Sequence, residues 1–154
     1  VGLNFHISYI DIQKDWLTHF LSQLTPTNPF RCPPGPAERI SQIAWYLKNN
    51  KPKSKIIAID PKGKFSKQGL FVQGWKKHYG FGTDNSLIEY HHQTAIEELD
   101  IKSKTVVAGV DEIKADVLNV IPAQKAGKIA FTAGLVNDNG WCPGNQKTFE
   151  SPKM

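Results

Sequence analysis

Lys55-Ile56-Ile57-Ala58-Ile59-Asp60, KIIAID, is the stretch that decides the fold. It is short, apolar at four consecutive positions, rich in β-branched residues, and ends in an acid. An antiparallel strand with one wet face would alternate apolar with polar residues, whereas a strand covered on both faces does not. KIIAID therefore predicts a buried parallel strand of an α/β sheet, with the loop after Asp60 facing a ligand crevice at the strand's carboxyl end.

The flanking segments supply the helices such a sheet needs. Upstream, Ile40, Ile43, Ala44 and Leu47 recur at i, i+3, i+4 and i+7, the stripe of a helix packed by one face. Pro36 suits its first turn, Glu38 complements the positive end of its dipole, and Asn49-Asn50 before Pro52 ends it. Downstream, Gln68 to Tyr79 predicts a second amphipathic helix through Leu70, Phe71, Gly74 and Trp75, stopped by Gly80 to Gly82. Ser86 to His92 predicts the next strand.

The pattern then changes. Ile96–Asp100 and Lys104–Ala108 read as a β-hairpin, and Ala115 to Ile121 reads as a further strand stopped by Pro122. The order is that of an α/β, Rossmann-like three-layer domain: a parallel sheet whose last crossover is an antiparallel β-meander. A complete domain of this kind begins with a strand, for which Phe5 to Ile10 (FHISYI) is the clear upstream candidate. Asp11 to Leu24, between that segment and Cys32, could be helical.

The 154 residues, 40% hydrophobic, suffice for one globular domain. The sequence contains no apolar run of about 18 residues, the length that would cross a membrane as a helix. The start VGLNFHISYI lacks a basic segment, apolar core and small-residue cleavage site. A net charge of +5 raises the question of a nucleic-acid partner. Against one, the lysines are scattered and Arg31 and Arg39 are the only arginines, with no basic stripe of interleaved aromatics. The two cysteines, Cys32 and Cys142, lie far apart, with neither CxxC nor zinc-ligand spacing, so no metal site is expected.

Gly80-Phe81-Gly82 has Asn85 where a third glycine would stand and follows a helix, so it reads as a helix-ending turn rather than a phosphate loop. Adjacent His91 and His92 point to opposite faces of a strand and chelate poorly. Glu97, Glu98, Asp111, Glu112 and Asp116 read as solvated turn and edge charges. Cys142 reads as a buried packing residue beside Trp141. Cys32 differs: Pro29, Pro33, Pro34 and Pro36 stiffen its loop, which runs directly into a helix N-terminus where N–H groups and the dipole favour an anion. Glu38 lies in the first turn of that helix, within range to act as an acid or base. The residues leave two readings open, a functional thiol with its acid or a small buried hydrophobe beside a dipole-complementing carboxylate.

Four blocks carry a resemblance: FRCPPGPAERISQIAWYLK, KIIAIDPKGKFSKQGLFVQGW, ADVLNVIPAQKAGKIAFTAGL and GWCPGNQKTFES. Together, in order from about Pro29 to Ser151, they resemble the flavoprotein subunit of flavocytochrome c sulfide dehydrogenase. That family sits within the FAD-dependent disulfide-reductase-like group that includes the sulfide:quinone oxidoreductases. The resemblance implies that residues 25–154 are the middle, NAD-binding-like domain, incomplete here, and that residues 1–24 are an unmatched N-terminal segment. The family's glycine-rich FAD fingerprint and its GD-type flavin motif are both absent, so an internal fragment is expected.

The resemblance further implies that Cys32 is one half of a redox-active disulfide and Glu38 an acid near it, with Pro33 and Gly35 of the same motif against the cofactor. FAD would be held mainly by regions outside this chain. Sulfide would be oxidised to sulfur or polysulfide, and a c-type cytochrome partner carrying the haem would take the electrons, in the periplasm. The alternatives are a fragment of a sulfide:quinone oxidoreductase or a non-catalytic Rossmann-like binding or assembly domain. The prolines in the Cys32 loop argue against nucleotide binding, because they remove backbone donors where a phosphate needs them.

Overall fold

The computed structural model describes residues 20–153. Its elements in chain order are β1 (Phe20–Leu24), α1 (Gly35–Asn50), β2 (Lys55–Asp60), α2 (Gln68–Tyr79), β3 (Ile88–His92), β4 (Ile96–Asp100), β5 (Thr105–Ala108), β6 (Asp111–Lys114), β7 (Val117–Val120) and α3 (Lys128–Thr132). Strands β3, β2, β1 and β7 form one sheet in that order, all parallel. Strands β4, β5 and β6 form a separate antiparallel meander.

Both faces of β2 are covered, which is why KIIAID is apolar without alternation. Ile56 and Ala58 face α1 and α2, joining Ile40, Ala44, Leu47, Trp75 and Ile88 in one core cluster. Ile57 and Ile59 face the other way and pack with Leu24, Val106 and Ala108 under the meander. Each fully buried Ile contributes roughly 1.5–3 kcal/mol relative to exposure, so a sandwiched β2 anchors both layers. Trp75, 1% exposed, fills the centre of the helical side among Phe65, Phe71, Phe81 and Tyr90. Its indole N–H donates to Ser41 Oγ at 2.8 Å, joining α2 to α1.

The first strand differs from expectation. Phe5 to Ile10 lies outside the described residues, and β1 is Phe20–Leu24, inside the segment read as possibly helical. Its register fixes it between two neighbours: Leu21 opposes Ile56 on β2 and Val117 on β7. Tertiary pairing of that kind overrides local propensity. The fourth to sixth strands form the meander, and one of its two outer strands is Asp111–Lys114, a stretch whose sequence reads only as turn and edge charge. Asp111 and Glu112 are exposed on that edge, where charge discourages further pairing. The expected strands at 86–92 and 115–121 are present in trimmed form as Ile88–His92 and Val117–Val120. Gly80, at φ +69°, caps α2 in the left-handed conformation, as the helix-ending reading of Gly80 to Gly82 requires.

Candidate functional site

The loop from Thr25 to Pro34 leaves the carboxyl end of β1, beside the carboxyl end of β2, and enters α1. This is where an open α/β sheet places a ligand. Cys32 sits at the top of the loop with its side chain exposed, so the buried-hydrophobe reading does not hold. Its φ of +55° lies in the left-handed region, which costs a non-glycine residue roughly 1–2 kcal/mol. The Cys32 carbonyl accepts the Gly35 N–H at 2.8 Å, closing a tight turn into the helix. Gly35 leaves the sulfur close room: a Cβ on it would stand 3.2 Å from Cys32 Sγ, near enough that the sulfur would have to shift.

Proline changes what the helix N-terminus can offer. Pro34 is the N-cap residue, without a side-chain cap, and Pro36 follows at the start of the helix. Pro33, Pro34 and Pro36 have no N–H, Gly35 N–H is engaged by Cys32, and Glu38 N–H is engaged by the Pro34 carbonyl at 3.0 Å. The expected cluster of free donors is therefore largely absent. Glu38 is exposed in the first turn of α1. Among the described residues no hydrogen bond joins Glu38 to Cys32, whereas Gly35 bonds the Cys32 carbonyl and lies beside its sulfur.

Two tethers hold the loop. On one side the Arg31 N–H donates to Gln124 Oε1 at 2.8 Å and its guanidinium to the Lys125 carbonyl at 2.7 Å, and Arg31 lies 5.7 Å from the centre of the Trp141 ring. Cys142, next to Trp141, is exposed, which corrects the expectation of a packing role. The 122–145 segment meets the loop through the backbone and long side chains, so nothing there buries a thiol.

On the other side stands Lys62, which sequence reasoning did not single out. Its Nζ is 2.7 Å from Asp60 Oδ1 and donates to the Pro26 carbonyl at 2.6 Å and to Thr25 Oγ1 at 3.4 Å. It also lies 5.0 Å from the centre of the Phe30 ring, within cation–π range. Asp60 is 1% exposed and accepts the Lys62 backbone N–H at 2.9 Å and the Tyr90 hydroxyl on its second oxygen. Burial, then that hydrogen bond and the Asp60 charge, push the Tyr90 phenol far above its ordinary value of 10.0. Lys62 and Phe30 fill the crevice, leaving a cavity of about 10 Å³, room for about one water.

The cavity among the described residues at this end of the sheet is accordingly too small for a flavin. Pro33 borders the small cavity, Gly35 lies beside Cys32 Sγ, and neither lines a pocket of cofactor size. A depression of about 430 Å³ opens at the amino ends of β2 and β3, lined by Lys55, Phe81, Thr83 and Glu89, at the opposite end from Cys32. His91 bonds Glu89 at 2.8 Å, a surface role as its position on an edge strand suggests.

A parallel sheet ordered β3-β2-β1-β7, two helices on one face and a meander on the other define a Rossmann-like domain of the kind found in FAD- and NAD-binding oxidoreductases. Residues 18–122 match the family described as sulfide dehydrogenase (flavocytochrome c) flavoprotein chain, central. The chain belongs to that family, as the central region of its flavoprotein. Among solved structures, it resembles the HOCl-induced flavoprotein disulfide reductase RclA from Escherichia coli at 13% identity and a TM-score of 0.53, covering 82% of this chain and 27% of that one. It also resembles a chain in the cryo-EM structure of the Tetrahymena thermophila mitochondrial ATP synthase, at 15% identity and a TM-score of 0.52, covering 88% and 35%. At these identities the likeness is one of fold, and the chain spans about a third or less of either structure. Among the described residues no helix is long and apolar enough to cross a membrane.

Proposed function

We propose that this chain is the central part of an FAD-dependent sulfide dehydrogenase that oxidises sulfide to sulfur or polysulfide and passes electrons to a c-type cytochrome in the periplasm. The family supports the flavoprotein class. The observation that carries the reading to a residue is Cys32: an exposed thiol held at φ +55° where the sheet's carboxyl ends meet α1. A strained residue of this kind persists only where its surroundings over-determine it, and such residues concentrate at functional sites.

In this reading Cys32 supplies one sulfur of a redox-active disulfide, which exchanges with the substrate or stabilises its adduct. Glu38, exposed one turn into α1, assists proton movement, and Pro33 and Gly35 form the protein surface beside the reacting sulfur. FAD, held mainly by parts of the protein outside this chain, supplies the two-electron chemistry. The region 25–154 acts as the family's NAD-domain counterpart without its nucleotide.

The test is Cys32→Ser in the full-length flavoprotein with its cytochrome. Sulfide-dependent cytochrome reduction should be lost while flavin content is retained. Unchanged sulfide oxidation would remove Cys32 from the mechanism.

A further inference from the structure

We propose that Asp60 and Lys62 are positioning residues for the Cys32 loop, fixing it from the end of β2 in the place a nucleotide would otherwise occupy. The functional consequence rests on the role given to Cys32 above. Four contacts of Lys62 carry the inference. Lys62 Nζ reaches the loop at its base, through the Pro26 carbonyl at 2.6 Å and Thr25 Oγ1 at 3.4 Å. It reaches the loop again at the Phe30 ring, two residues before Cys32, at 5.0 Å. Its charge is held in place by Asp60 at 2.7 Å, itself anchored by Tyr90 and by the backbone N–H of Lys62.

The arrangement suits positioning rather than surface solvation. The Lys62 and Asp60 side chains are 12% and 2% exposed, so their attraction is screened far less than that of a surface pair. A lysine this enclosed, with donors directed at a carboxylate, a carbonyl and a hydroxyl, has little freedom to swing away. Because Asp60 ends the most buried strand of the sheet, the pair transmits the rigidity of β2 to a loop that has no secondary structure of its own. Arg31 closes the loop from the other side, so Cys32 is bracketed between two cationic tethers.

The experiment uses the full-length flavoprotein. Lys62→Met alone strands a buried carboxylate and invites misfolding, so the decisive variant is Asp60→Asn/Lys62→Met, which removes both charges and keeps the volume. Lys62→Arg serves as the conservative rescue. Amide exchange across residues 27–35 should quicken at least about tenfold in the double variant, with exchange in the core of α1 unchanged and Lys62→Arg close to wild type. Sulfide-dependent cytochrome reduction should fall about tenfold at equal flavin content. Unchanged loop exchange overturns the proposal. So does faster exchange with full turnover, if Cys32→Ser is inactive. Faster exchange with both variants fully active upholds the tether and instead sinks the assignment of Cys32 to sulfide oxidation.

Discussion

Gly35 lies under Cys32 so closely that a single methyl group at Gly35 would reach to within 3.2 Å of the sulfur. Its backbone is helical, so alanine is tolerated by the main chain and favoured by helix propensity. The sulfur, at the end of a short side chain in a strained turn, must give way instead. Gly35→Ala should therefore separate stability from activity. The melting temperature should stay at or above the wild-type value, while sulfide turnover of the full-length flavoprotein falls roughly ten- to a hundredfold, the scale expected for a displaced reacting group. A variant with full turnover would show that the sulfur position seen here is not the one that matters.

Tyr90 makes stability sensitive to alkaline pH. Its phenol is pushed well above the ordinary value of 10.0 by burial, and then by the hydrogen bond to Asp60 and the charge of that carboxylate. Below about pH 10 folded and unfolded chains both keep the proton. Above it the unfolded chain releases the proton while the folded one retains it, so folding loses stability as pH rises. Tyr90→Phe removes that contribution but leaves one Asp60 oxygen without its donor, at a cost of about 1–3 kcal/mol near neutrality. The urea midpoints of wild type and Tyr90→Phe should accordingly differ most at pH 7–9 and converge above pH 10. Curves that stay parallel to pH 11 would mean that the Tyr90 phenol titrates alike in both states.

The sequence pattern made the centre of this fold legible because burial on both faces left a simple signature. KIIAID is β2 at its expected bounds, and the stripe from Ile40 to Leu47 is the buried face of α1. The first strand was not legible, for a physical reason. In FLSQL the middle residue is Ser22, fully buried on the same face as Leu24, where a second apolar residue would have shown the strand. What makes Phe20–Leu24 a strand is its place between β2 and β7, a long-range relation no local window contains. The short helix Lys128–Thr132 buries none of its residues and so had no stripe to find.

At the site, the prolines and the thiol were visible and the tether was not. Lys62 and Phe30 come from different loops, and only the fold brings them together. One signal was available: an acid at the end of the second strand with a lysine two residues on, since the acid in that position ordinarily serves a ribose and a neighbouring cation would neutralise it. The same blindness applied to Cys142, where a tryptophan neighbour suggested burial but the loop keeps both its neighbours near the surface.

The filled crevice carries the last prediction, the absence of NADH binding. A dinucleotide needs an acid free to accept from its ribose, backbone donors for its phosphates and room for its rings. Here Asp60 accepts from Lys62 and Tyr90, the Gly35 and Glu38 N–H groups are engaged within the chain, and the space left is about 10 Å³. Opening the crevice would require breaking the Lys62 contacts to Asp60 and Pro26 and displacing Phe30, all before any contact with the ligand is made. Calorimetric titration of the full-length flavoprotein with NADH should show no saturable heat, with Kd above about 1 mM, and the flavin spectrum should not change. Saturable micromolar binding that a substitution at Phe30 or Lys62 alters would show that these side chains swing out to admit a nucleotide, and that the domain keeps the binding function its fold suggests.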